Sequence, residues 1–310
     1  HLFSAAIVAV SGAASALFVT CANAWMNSPA GFRVEGGRVV DVDPWTAMFA
    51  PGWSEQVVHV LLSCYTSTAF AVAGIHAFFL LRRPASAMHR NAFGLALVVG
   101  GACAILQPVS GDFSARSVQR RQPIKLAAME GHFETRRCAP LRLGGWPNEE
   151  TRQTPWAIEI PCGLSFLSTH DPQAEIAGLG SVPRDQWPPV RNVHVYFQVM
   201  VASGVLLAAT ALLAAVIWWR GGRILPAAPR FLKWIVVVSP LGFVAMEAGW
   251  MVTEQGRQPW IIHQVMRTTD AVTPTAGLAL SFFSVTAVYL LLGVTTALLL
   301  YRQIAREPRA

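Results

Sequence analysis

Asn192-Val-His-Val-Tyr-Phe-Gln-Val-Met200-Val-Ala-Ser-Gly-Val-Leu-Leu-Ala-Ala-Thr-Ala-Leu-Leu-Ala-Ala-Val-Ile-Trp-Trp219 runs without one Asp, Glu, Lys or Arg and is closed by Arg220. A helix rises 1.5 Å per residue, and about 20 apolar residues cross the hydrocarbon of a bilayer. The segment exceeds that length and reads as a membrane-spanning helix. Working outward, charge-poor stretches of similar length fall at 2–26, 56–81, 91–111, 234–252 and 274–300, and Glu247 is the one acid or base in any of them, histidines aside. The chain of 310 residues is 53% hydrophobic and 13% charged, against about 25% charged in soluble domains. The expected fold is therefore all-α: an integral membrane helical bundle of about six spans.

Basic residues sort by loop. Arg82, Arg83 and Arg90 lie between the second and third spans, Arg220, Arg223, Arg230 and Lys233 between the fourth and fifth, and Arg302, Arg306 and Arg309 in the tail. If the spans alternate, these segments share one side. Short Lys/Arg-rich loops stay cytoplasmic, whereas long loops translocate regardless of charge. The C-terminus and His1 are then inside, and the long loop 112–191 is outside. Topology accounts for most of the net charge of +7, so a nucleic-acid partner is not needed to explain it. Residues 1–310 form one membrane domain without a soluble domain. The sequence starts with His1 inside the first span, with no methionine, charged leader or cleavage site, and is expected to be a piece of a longer chain.

The loop 112–191 is expected to open with a helix over 122–134. Trp146, Trp156 and Trp187 favour a packed remainder. The first outer loop carries Gly36-Gly37 and the alternating Arg38–Asp43, which suits a small hairpin. Cys21, Cys64 and Cys103 fall in separate spans and suit buried thiols. Cys138 and Cys162 share the outer loop, facing an oxidising compartment; spacing alone leaves both a disulfide and two thiols open.

Several residues carry chemistry. His59 and Met200 lie at similar depth from the outer side, and a His and a Met on neighbouring helices can ligate one haem iron. A core histidine and a core methionine read equally well from spacing. A bis-histidine dihaem arrangement fails on counting: the second span has His59 and His76, but the fourth has only His194. Glu254 and Arg257 stand at i,i+3 just past the fifth span, able to form a boundary ion pair or to serve a haem. Glu247 would have to be protonated or paired. Lys125 and Glu130 open the outer loop; a carboxylate can take a proton from a quinol hydroxyl while an ammonium holds the other oxygen. A solvated amphipathic helix explains the same pair.

Four strings line up in one order: Val57-Val-His59-Val60, Gln122-Pro-Ile-Lys125-Leu-Ala-Ala-Met-Glu130-Gly131, Phe197-Gln-Val-Met200-Val201, and Gly249-Trp250-Met-Val-Thr-Glu254-Gln-Gly-Arg257-Gln-Pro-Trp260. Together with Asn23-Ala-Trp-Met26 they resemble subunit I of cytochrome bd quinol oxidase, across essentially the whole chain. The resemblance implies a respiratory quinol:oxygen oxidoreductase of the bacterial cytoplasmic membrane. It implies His59 and Met200 as axial ligands of a low-spin haem b and Glu254 as ligand of a high-spin haem b. Arg257 would lie close by and Trp250 between haems, and Lys125 and Glu130 would serve a quinol site in a short outer "Q-loop". It also implies a haem d, whose histidine ligand lies in helices preceding this stretch in the family. Without them the piece alone is expected to be inactive. Implied partners are an oxidase subunit II, a small single-helix subunit, quinol and membrane lipid. Gln198 departs from the family, where many members carry arginine, and is expected to lower the nearby haem potential. The competing readings are a b-haem quinol dehydrogenase that does not reduce oxygen, and a transporter coupled through Glu247.

Overall fold

The computed structural model describes residues 1–222 and 227–305; Arg223, Arg306 and Arg309, part of the inner-side charge expected from sequence, lie outside the described residues. Six helices among the described residues are long and apolar enough to cross a membrane. The chain divides into two compact units, His1–Thr268 and Thr269–Ala310.

In the first unit the helices are α1 (Leu2–Asn27), α2 (Pro44–Met48), α3 (Trp53–Arg82), α4 (Ala87–Arg121), α5 (Pro123–Met129), α6 (Gly163–Thr169), α7 (Val190–Arg220), α8 (Pro229–Val238) and α9 (Leu241–Gln255). The second unit is built on α10 (Leu278–Ala305), whose described side chains are mostly exposed and apolar. The Gly36-Gly37 hairpin forms, pairing Arg33–Glu35 with Arg38–Val40. Asp43 caps α2, its carboxylate accepting from the Trp45 and Thr46 amides.

Two boundaries differ from those expected. The third apolar stretch, 91–111, is the middle of a helix that continues to Arg121 before stopping at Gln122. Pro123 is the cause: a residue before proline is pushed out of the α region. Gln122 sits at φ −138°, ψ 61°, and Pro123 opens α5 at its first turn. The helix expected over 122–134 is accordingly the short α5. The fifth apolar stretch, 234–252, is also interrupted, because α8 ends before Ser239-Pro240 and α9 starts at Leu241.

The helices of the first unit close a ring: α3 packs on α4, α4 on α7, α7 on α9 and α9 on α3, while α8 and α1 lie against α3. Lipid is as apolar as leucine, so such helices associate through close packing of small residues rather than by escape from water. The interior obeys this, with Ala73, Ala77, Ala104 and Ala211 among Phe70, Phe93, Leu207 and Ile235. A Cβ on Gly242 of α9 would stand 2.6 Å from the Ser67 Cα, so the α3–α9 approach requires glycine there. Leu95, Val98, Val205 and Leu212 point outward from α4 and α7, as side chains meeting lipid should.

The loop between α5 and α7 is packed. Arg136–Arg137 pairs with Glu175–Ile176 and Leu141–Leu143 with Ile158–Ile160, and a Cys138–Cys162 disulfide closes the loop over a separation of 24. Of the three tryptophans that suggested packing, only Trp187 is buried; Trp146 and Trp156 are exposed.

Candidate functional site

His59 occupies the second turn of α3 and is half-buried. Its ring rests on a five-residue stretch of α4, Gln107-Pro-Val-Ser110-Gly111. The Ser110 Oγ lies 2.8 Å from Nδ1 and the Gln107 Nε2 lies 3.1 Å from Nε2. Met200, on α7, is likewise half-buried. A Cβ on Gly249 of α9 would stand 3.1 Å from its sulfur, and one on Gly111 would stand 3.5 Å from the His59 Cε1. Because α3 and α7 both pack on α4 and α9, His59 and Met200 stand on opposite helices of the ring, each beside a glycine. An imidazole and a thioether from opposed helices, each packed on a glycine, are a donor set of the kind that holds a low-spin haem.

The ends of α1, α5 and α9 meet in a buried polar knot. Lys125 donates to the Asn27 Oδ1 and the Thr253 carbonyl, both at 3.3 Å, and Gln122 donates to the Asn27 carbonyl at 2.6 Å. Arg257 reaches the Asn23 Oδ1 at 3.1 Å and the Glu254 carboxylate at 2.6 Å. The pair therefore forms although α9 stops at Gln255. The Arg257 side chain is 4% exposed and that of Glu254 is 54% exposed, and the Arg257 Nε has no partner. Burial pushes Lys125 down to about 7, helped by the Arg257 charge and opposed by Glu254. Two basic groups thus share a pocket with one half-exposed carboxylate. The Arg257 Nε is an unspent donor, which suits a further anion such as a haem propionate, while the Glu254 carboxylate is held by Arg257 through Oε2. Trp250 is half-buried and Glu247 exposed on the same helix.

Glu130, at the C-cap of α5, has other neighbours. It is 3% exposed and its Oε2 has no partner. Burial pushes its carboxyl up to about 8, against the pull of Arg142. Arg142 is fixed by bonds to the Gly131 carbonyl at 3.0 Å and to Glu159 at 2.8 Å. His132 is buried beside this turn, and burial, then Arg142, holds its pKa down to about 4 against a backbone contact from Ile176. The Nδ1 of His194 lies 2.8 Å from the Met129 carbonyl. Gln198 donates to the Arg142 carbonyl and accepts from the Gly144 amide, both at 3.0 Å, tying α7 to the loop. Lys125 and Glu130, read from sequence as flanking one ring, thus sit at opposite ends of α5 among different partners.

Asn23 entered the sequence reading only as part of a string, with no role of its own, and Asn27, Gln107, Ser110 and Arg142 escaped it. Polar residues inside or beside otherwise apolar stretches were the available signal for the first four; nothing local marks Arg142, which reaches Gly131 through the folding of the loop.

A multi-pass helical membrane protein is defined by this bundle, with a candidate haem-ligand pair between its helices and a buried carboxylate in its loop. The family model for cytochrome bd terminal oxidase subunit I matches residues 1–308, and the chain belongs to that family. It is 37% identical over 309 residues to a Bacillus subtilis protein described as "Putative cytochrome bd menaquinol oxidase subunit I", covering 97% of this chain and 68% of the relative. It is 27% identical over 380 residues to the cytochrome bd-II ubiquinol oxidase subunit 1 of Escherichia coli, covering 100% of this chain and 74% of that protein. The bd oxidase structure from Geobacillus thermodenitrificans superposes with a TM-score of 0.86 at 36% identity, covering 97% of this chain and 69% of the other. Family membership carries with it an oxidoreductase of the respiratory chain, haem cofactors and a second subunit.

Proposed function

We propose that this chain supplies the quinol-oxidising and b-haem-binding part of a quinol:oxygen oxidoreductase. When bound, the haems carry single electrons from quinol toward oxygen, two b haems preceding a haem d. His59 and Met200 would hold the low-spin iron from opposed helices, and Glu254 would offer one oxygen to the high-spin iron while Arg257 would neutralise a propionate. Trp250, half-buried on α9, would lie between the two b haems. The observation that carries this reading is the pair of glycines, Gly249 beside the Met200 sulfur and Gly111 beside the His59 ring.

Quinol loses two protons with its two electrons. Glu130, ionised, accepts one of them, because a buried carboxylate raised to about 8 is a far stronger base than an exposed one. Lys125 orients the quinol oxygen from the other end of α5. With residues 112–191 on the outer face, these protons leave outside, and the basic connections stay in the cytoplasm of a bacterial cell. A small single-helix subunit and lipid cover the apolar exterior beyond subunit II.

Replacing the thioether tests the ligand pair. Met200→Leu should insert and assemble normally yet lose the reduced low-spin haem band; an unchanged reduced spectrum rejects Met200 as a ligand.

A further inference from the structure

We infer that Ser110 is a positioning residue for His59: its hydroxyl fixes the ring proton on Nδ1 and so leaves Nε2 unprotonated, with a lone pair that the Gln107 amide now holds and the iron would take in its place. This rests on His59 being an axial ligand, as proposed above.

The argument counts hydrogens. A serine hydroxyl has one, and the Gln107 carbonyl lies 3.2 Å from the Ser110 Oγ, in position to accept it. With that hydrogen on the carbonyl, the oxygen turns lone pairs toward the His59 Nδ1 at 2.8 Å, and Nδ1 is the donor. The other side of the ring agrees. An amide nitrogen only donates, and the Gln107 Nε2 lies 3.1 Å from the His59 Nε2 and 3.2 Å from the His59 carbonyl; its 3.4 Å approach to Nδ1 is the longest of the three. The Nε2 therefore carries a lone pair, the form a metal requires.

The local sequence explains why α4 can do this. Pro108 inside the helix leaves the Ala104 carbonyl without its i+4 donor, and one turn further on the Ser110 hydroxyl reaches back to the Gln107 carbonyl. Gly111 leaves the ring edge unobstructed. Ser110 is 8% exposed, so water does not compete for its lone pairs.

A histidine ligand that donates its second N–H becomes a stronger base toward the metal, which favours ferric iron. Loss of the acceptor should therefore favour ferrous iron. In the complete haem-loaded oxidase, potentiometric titration of the low-spin band reads this directly. Ser110→Ala should keep that haem and raise the ferrous-to-ferric ratio at fixed potential by about threefold to tenfold, the usual range for one neutral hydrogen bond. Ser110→Thr, which retains the hydroxyl, should titrate with the parent. Ser110→Cys, a weak acceptor, should fall between, and gives the same reading if the alanine variant does not assemble. Superimposable titrations for the parent and the alanine or cysteine variant overturn the role of Ser110 while leaving His59 as ligand, provided that His59→Ala loses the low-spin band. Retention of that band in His59→Ala overturns the ligand reading, and the role of Ser110 with it.

Discussion

Lys125 and Glu130 stand at the two ends of one seven-residue helix, 7% and 3% exposed, yet the protein holds them in opposite ways. Lys125 donates to α1 and α9, and its stem lies where a Cβ on Gly256 would meet it at 3.0 Å. Glu130 keeps an oxygen with no partner at all. A buried polar atom left unbonded is costly, and such a cost persists where the atom's partner arrives during function. Lys125 is thus a supported group, as the proposed orienting role needs, and Glu130 an unsupported one, as the proposed proton exchange needs.

The largest expected effect breaks the comparison at its reactive end. Glu130→Gln should lower quinol oxidation by about 10²- to 10⁴-fold with haem content unchanged; stopped-flow rates within a few-fold of the parent would falsify the proton-acceptor role. The pH profile sharpens the point. Quinol oxidation should climb as pH rises through about 8, where Glu130 ionises. Arg142→Met removes a cation that favours the carboxylate, so that limb should move to higher pH. An unmoved limb disconnects Arg142 from Glu130.

Lys125 should register more in stability than in rate. Its folded pKa, about 7, lies below the ordinary 10.5, so the unfolded chain binds the extra proton between these values. Stability is then full above 10.5 and is lost as pH falls toward 7. Thermal unfolding of the parent should weaken over that interval, whereas Lys125→Met should be flatter; parallel curves refute the assignment. The smallest effect belongs to the disulfide. Cys138→Ser with Cys162→Ser should cost the loop about 2–4 kcal/mol, seen as faster proteolysis between β-paired segments, with the haem spectrum unchanged. Equal protease resistance rejects the staple.

Length and hydropathy made the six apolar helices legible, since one element of about 20 apolar residues has a single economical fate in lipid. Proline effects were harder: Pro123 and Pro240 move boundaries through local sterics that a hydropathy average smooths away. The site was readable as far as residue type and order reach, through Met200 and the Lys125–Glu130 string. What escaped is carried by partners distant in sequence. Asn27 lies 98 residues from the lysine it accepts from, and Asn23 lies 234 from Arg257. The quoted string suggested that Lys125 and Glu130 flank one ring from different but overlapping sides of a helix, but periodicity does not supply the neighbours that each end meets.

The interruption at Ser239-Pro240 has a consequence far from the redox chemistry. A Cβ on Gly74 of α3 would collide with the Ser239 Cβ and Oγ, so one added methyl at that glycine pries the broken helix from its neighbour. Genetic screens for respiratory failure should recover lesions there that leave every chemical group intact and harm the cell through misassembly in the bilayer.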